Sequence, residues 1–245
     1  MFYGYGVLNN HVPTLKATAM KGGMVSSGLI LHLDAGNTTS YPGTGTTWYD
    51  LSGANRNASL NDLIWSSSNG GIMTFDGVDD FAALGSDSAF NLTNISISLW
   101  AKFDALATNN YIASRYSNTT TDNGWLIQYD PTTQKIRFNG RESSALFIVN
   151  QSTNTYSTNT WYNITCTKSA NTWSIYVNGA LDMTQNIGVG NVSFGINQMV
   201  LGMLYTSFGS TFGKNKIGSA LIYNRALLAG EVTQNFNATK SRFGL

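Results

Sequence analysis

Apolar and polar residues alternate with a period of two along much of this chain. The longest run sets Ile95, Ile97, Leu99, Ala101 and Phe103 against Ser96, Ser98, Trp100 and Lys102. Side chains of an extended strand leave to opposite sides in turn, so such a run predicts a strand with one face on a core. The pattern recurs over 160–179, where Tyr162, Ile164 and Cys166 alternate with Asn163, Thr165 and Thr167. Beyond Ser169-Ala170-Asn171, Trp173, Ile175 and Val177 alternate with Ser174 and Tyr176. Two alternating arms around a short polar turn read as a hairpin, the element around which the chain is organised. Asn178-Gly179 tolerates positive φ and predicts a second reversal at once. A lone hairpin is marginal in water, so other strands must cover its apolar face.

Further strands are predicted at Leu29–Asp34, 72–75, 81–84, 111–114, 125–129, 136–138, 146–149, 199–204 and 217–223. The pair around Asp130-Pro131-Thr132 is joined by a turn. One helix is expected after Leu228, where Val232 and Phe236 stand a turn apart and Glu231 suits the positive N-terminal end. Many short strands with one terminal helix predict an all-β protein, a two-sheet antiparallel sandwich over 28–245. Residues 1–27 show neither period, and Gly4, Gly6, Pro13, Gly22 and Gly23 predict an extended N-terminal arm. Its rings, Phe2, Tyr3 and Tyr5, have no core of their own and are candidates to dock on a partner.

Composition narrows the function. Charged residues make up 11% of the 245, against about 25% in ordinary globular proteins. Hydroxyls and amides must therefore wet the surface. With a net charge of +1 and no Lys/Arg cluster along the chain, nothing neutralises a row of phosphates, which argues against nucleic acid and acidic membranes. Cys166, the one cysteine, reads as a small buried hydrophobe and permits no intrachain disulfide. The N-terminus has no basic start followed by an apolar run, so no signal peptide is expected, and no apolar stretch is long enough to span a bilayer.

Six stretches then occur in a telling order: Gly28 to Asp34, Trp48 to Gly53, Phe75 to Phe81 (Phe-Asp-Gly-Val-Asp-Asp-Phe), Trp161-Tyr162, Ile175 to Gly179 and Ile222 to Leu227 (Ile-Tyr-Asn-Arg-Ala-Leu). In order and spacing they resemble the landmarks of laminin-G-like domains of the concanavalin A-like superfamily. The resemblance implies a jelly-roll sandwich. The loop from Tyr41 to Asp50 and the stretch Asn237-Ala-Thr-Lys-Ser-Arg-Phe-Gly also resemble single-domain laminin-G-like proteins of tailed bacteriophages. That variant implies a virion location, reached without a signal peptide, with other capsid or tail proteins as partners.

Catalytic constellations are scarce. Hydrolases of this sandwich resemble one another in carrying paired glutamates, which must flank one bond at about 5–5.5 Å. This chain has only Glu142 and Glu231, far apart in sequence, and His11 and His32 are equally remote from each other. No enzyme and no obligatory cofactor is expected. Calcium is the one metal with a case, because Asp76, Asp79 and Asp80 crowd a turn with Gly77, and Asp34 and Asp50 fall in loops. Related domains often place an acidic pair before the Ile-Tyr-Asn-Arg-Ala-Leu landmark; Gly218-Ser219 stands there instead and removes a ligand. For a glycan, Tyr116, Trp125 and Tyr129 around the Asn- and Thr-rich loop 118–124 are the candidate platform. The expected function is thus a non-enzymatic virion structural or decoration protein anchored by its arm and aiding surface adhesion, with a glycan-binding attachment module as the alternative and a glycoside hydrolase as the third reading. Exposed sheet edges with few guarding charges further favour a homo-oligomer or symmetric array.

Overall fold

A computed structural model describes residues 23–104, 110–116, 124–142, 146–187, 197–206 and 209–245. The strands are β1 (Leu29–Asp34), β2 (Thr47–Trp48), β3 (Ala58–Asn61), β4 (Ile64–Ser66), β5 (Ile72–Asp76), β6 (Phe81–Ala83), β7 (Ile95–Phe103), β8 (Asn110–Arg115) and β9 (Gly124–Asp130). They continue as β10 (Lys135–Glu142), β11 (Leu146–Ile148), β12 (Trp161–Ser169), β13 (Thr172–Val177), β14 (Ala180–Asn186), β15 (Val200–Leu201), β16 (Met203–Thr206), β17 (Gly209–Phe212) and β18 (Lys214–Tyr223), before the helix α1 (Ala229–Thr239).

Two antiparallel sheets stack face to face. The first runs β14-β13-β12-β7-β18-β5-β4, with β1 also on β18, and the second β11-β10-β9-β8-β15-β6-β3-β2; β16 and β17 form a separate ribbon. The two-layer sandwich with a short C-terminal helix is thus the architecture that the alternation predicts. Ile95, Ile97, Leu99, Ala101 and Phe103 of β7 point into the interior against Trp125, Ile127 and Tyr129 of β9 and Ile136 and Phe138 of β10. Each fully buried side chain of this size contributes about 1.5–3 kcal/mol. The predicted hairpin is β12–β13, closed at Ala170-Asn171, and its second reversal at Asn178-Gly179 starts β14. It flanks the middle of its sheet, where β7 and β18 lie.

The predicted strand at 199–204 divides in two. Gly202, at φ +79, turns the chain from the second sheet into the ribbon, and a Cβ there would come within 2.1 Å of the Phe75 ring. Only glycine permits both the left-handed turn and that approach. The shortest and most polar strands, β2, β3, β4, β14 and β17, carry too little alternation to be read from sequence.

The helix covers part of the outer face of the first sheet. Val232 packs with Tyr176, Leu221, Tyr223 and Leu227, while Trp100 and Trp161 meet Phe243 from the single 3-10 turn that follows. Glu231 accepts from the Leu228 N–H at 2.9 Å, satisfying an otherwise unpaired N-terminal donor. Residues 23–27, the end of the predicted arm, lie on this layer. The Val25 N–H donates to Asn235 Oδ1 (2.8 Å), Tyr223 Oη to the Val25 carbonyl (3.0 Å) and Gln234 Nε2 to the Gly23 carbonyl (2.7 Å). Phe2, Tyr3 and Tyr5 lie outside the described residues. No helix among those described is long and apolar enough to cross a membrane.

Candidate functional site

The acidic turn links the two sheets at the rim, between β5 and β6. Gly77 takes φ +83, Asp76 Oδ1 accepts from the Val78 N–H at 2.7 Å, and Asp80 Oδ2 accepts from the Asp76 N–H at 2.8 Å. Asn61 Nδ2 braces the turn by donating to the Asp79 carbonyl at 3.0 Å. The result is a carboxylate oxygen from each of Asp76, Asp79 and Asp80, all within 4.8 Å of one another. Asp76 and Asp79 are exposed and Asp80 is buried. Burial, then the neighbouring charges of Asp76, Asp79 and Asp62, push the Asp80 carboxyl above the ordinary aspartate range. Three carboxylates offer at most six oxygens, the lower end of what calcium takes.

Asp34 and Asp50 do not join them. Asp34 pairs with Arg242 at 2.5 Å. Asp50 accepts from the backbone N–H groups of His32, Ser52 and Arg56 and from Ser52 Oγ, which together hold it below the ordinary range against the opposing effect of burial. The Gly218-Ser219 departure has a packing cause. A Cβ at Gly218 would stand 2.5 Å from Phe243 Cζ, so the small residue makes room for the terminal ring.

The aromatic platform is corrected by the fold. Trp125 and Tyr129 are 1% and 0% exposed. Trp125 meets Phe138 edge-on at 6.4 Å; Tyr129 stacks on Phe103 at 4.4 Å and donates its hydroxyl to the Tyr156 carbonyl. Both rings point between the sheets, where no sugar reaches. Tyr116 is buried as well, packed with Leu126 and Leu204.

Among the described residues, Glu231, Cys166 and His32 are committed to structure. Arg225 grips both oxygens of Glu231 at 2.7 Å, which holds that carboxyl below the ordinary glutamate range. The Glu142 side chain lies outside what the structure describes. Cys166 is fully buried, and burial pushes its thiol well up, away from the reactive thiolate. Burial of His32 lowers its pKa despite the opposing charges of Asp34 and Asp50, which favours the neutral imidazole.

One cleft was not foreseen. It opens beside the acidic turn, has a volume of ≈ 140 Å³ and shares Asp76 with it; Lys102, Asp104, Asn159, Lys214 and Lys216 are among its walls. Lys216 pairs with Lys102 on one side and with Thr74 on the other, while Lys102 pairs with Trp161. Because Ala101 and Phe103 point inward, Lys102 points outward. The cleft therefore lies on the outer face of the first sheet, next to the patch sealed by Phe243. Lys214 Nζ stands 3.8 Å from Asp104.

The fold is that of a concanavalin A-like β-sandwich. More particularly, the chain belongs to the laminin-G-like family described as the concanavalin A-like lectin/glucanases superfamily, whose sequence pattern matches residues 75–233. Comparison with curated proteins finds no match. Among solved structures, Trypanosoma rangeli sialidase in its complex with 2,3-difluorosialic acid superposes with a TM-score of 0.67 at 17% identity, over 96% of this chain and 36% of the sialidase. The botulinum neurotoxin type G receptor binding domain gives 0.61 at 20%, over 86% of this chain and 51% of that one. The serotype D binding domain gives 0.62 at 16%, over 86% and 52%. At these identities the likeness is one of fold. The chain spans about a third of the sialidase and about half of the toxin chains.

Proposed function

We propose that this chain is a non-catalytic display module, a laminin-G-like sandwich carried on the capsid or tail of a bacteriophage and tied to it through residues 1–22, with Phe2, Tyr3 and Tyr5 as the anchoring rings. One observation supports the non-catalytic part: among the described residues, the one glutamate whose side chain is described and the one cysteine are both tied up in the structure. Glu231 is clasped by Arg225, Cys166 is sealed in the core, and the acidic turn leaves two of its three carboxylates in water. The phage part rests on the resemblance of the Tyr41–Asp50 loop and the terminal stretch. Both belong to the body: Tyr41 Oη donates to the Gly45 carbonyl, and Arg242 ties the C-terminal turn to Asp34.

Deletion tests this reading. Removing residues 1–22 stops short of Gly23 and Val25, whose contacts with α1 belong to the fold. The shortened chain should keep its unfolding midpoint and be lost from purified particles that carry the full chain. Particles that retain it, or that never contain the full chain, overturn the proposal. A second reading, a glycan-binding module that attaches its carrier to surfaces, is favoured by the polar cleft on the outer face. A glycan array probed with and without EDTA checks it, and no binding in either condition rejects it.

A further inference from the structure

We infer that the cleft on the outer face of the first sheet is a metal-independent site for one anionic sugar unit, a hydroxylated ring bearing a single carboxylate or phosphate. This builds on the glycan-binding reading and adds the place and the charge of the sugar.

The sheet register carries the argument. Lys216 and Lys102 are direct cross-strand neighbours on β18 and β7, and both point outward. Like charges directly opposite one another weaken a sheet. Among the described residues the ion pairs include neither lysine; the cleft's one pair is Lys214 with Asp104. The Lys102 ammonium is held in place, 5.7 Å over the Trp161 ring. Two half-buried lysines, neighbours across two strands and lining one concavity without a carboxylate of their own among the described ion pairs, can be satisfied by an oxyanion held between them.

The surroundings narrow the ligand. Asp76 and Asp104 flank Lys214 one row along, where they accept hydroxyl hydrogens and repel a second negative group. Asn159 adds an amide and Thr74 a hydroxyl. A space of ≈ 140 Å³ suits one ring, not an extended chain. The combination favours one negative charge on a ring of hydroxyls over a densely charged polymer. No contact requires a cation.

Ligand-observed NMR and calorimetry on the full chain, with EDTA throughout, test this with glucuronate, glucose 6-phosphate, glucose and inorganic phosphate. Glucuronate or glucose 6-phosphate should bind, and whichever binds identifies the anion. Glucose and inorganic phosphate should each bind about tenfold or more weakly. Lys102→Gln and Lys216→Gln should each weaken binding by about tenfold; the Lys216→Gln midpoint should be at or above the wild type's, because it relieves a repulsion, while Lys102→Gln also gives up the contact with Trp161. Lys216→Arg, which keeps the charge, should retain binding. No binding by either anionic sugar overturns the assignment, as do equal binding by inorganic phosphate or unchanged affinity in both glutamine variants. Should neutral glycans bind on the array while both anionic sugars fail, the glycan reading stands and this site falls. Should the anionic sugars bind while the array stays blank, the site stands and the attachment role falls.

Discussion

Position 218 is where the first sheet meets the C-terminal turn, and a methyl group there measures how tightly that turn is seated. The Cβ of Gly218→Ala would lie 2.5 Å from Phe243 Cζ and 2.7 Å from Cε1. Gly218 is absent from the positive-φ residues, so space alone decides the cost. The ring cannot slide away cheaply: it stacks on Trp100 at 4.1 Å and 15°, and meets Trp161 at 4.8 Å. Overpacking of this kind costs about 1–3 kcal/mol. Phe243→Ala removes a ring that is 6% exposed, and loses about 3 kcal/mol, the low end for a core phenylalanine, because it packs outside the sandwich interior. In the double variant the methyl falls into the vacated space. The pair should then be less destabilised than the sum of the singles by about 1–3 kcal/mol. For a chain of this size each kcal/mol moves the midpoint by about 2–4 °C. Urea unfolding of the four proteins, with matching m-values as the check on two-state behaviour, supplies the cycle. Additivity within about 0.5 kcal/mol, or a Phe243→Ala loss below about 1 kcal/mol, would refute the seating argument.

Two further predictions concern charge. Glu231 has a folded pKa below its unfolded one, so its clasp with Arg225 stabilises the protein fully above the unfolded value and ceases to do so as pH falls through the folded value. Glu231→Gln should therefore flatten the acid limb of stability against pH, and parallel curves for the two proteins would contradict this. Asp80 is the opposite case: its folded pKa is raised, the native state holds the proton longer, and ionisation with rising pH takes stability away. Asp80→Asn keeps an acceptor for the Asp76 N–H, so at pH 7 it should match or exceed the wild type; a loss above about 1 kcal/mol would show that the charge itself holds the turn. A calcium titration of the same pair separates turn-making, which gives no midpoint shift, from cation binding, which gives a shift that the variant lacks.

The acidic turn was legible because its residues are neighbours in sequence. Gly77 and three aspartates within five positions make a local reversal, and local geometry brings their oxygens together whatever the rest of the chain does. The β7 strand was equally plain, since nine residues of clean alternation leave no choice of face. β14 was not, because it lies at a sheet edge and all of its residues are exposed or half-buried. Without a buried side there is no pattern to read. Trp125 and Tyr129 show the converse error: a ring beside a polar loop suggests a platform, but the side from which the second sheet closes is not written locally.

Thus the alternation, the glycine turns and the ordered landmarks by themselves determined a two-layer antiparallel sandwich with a terminal helix, for these depend on neighbours along the chain and on the burial of one face. The lysine cleft was decided by tertiary structure alone. Thr74, Lys102, Asn159 and Lys216 lie far apart in sequence, and a shift of one residue in the pairing of β18 with β7 would turn one lysine inward and dissolve the site. A chain with no basic cluster along its length acquires one across its strands, because register, and not spacing, decides which charges share a face.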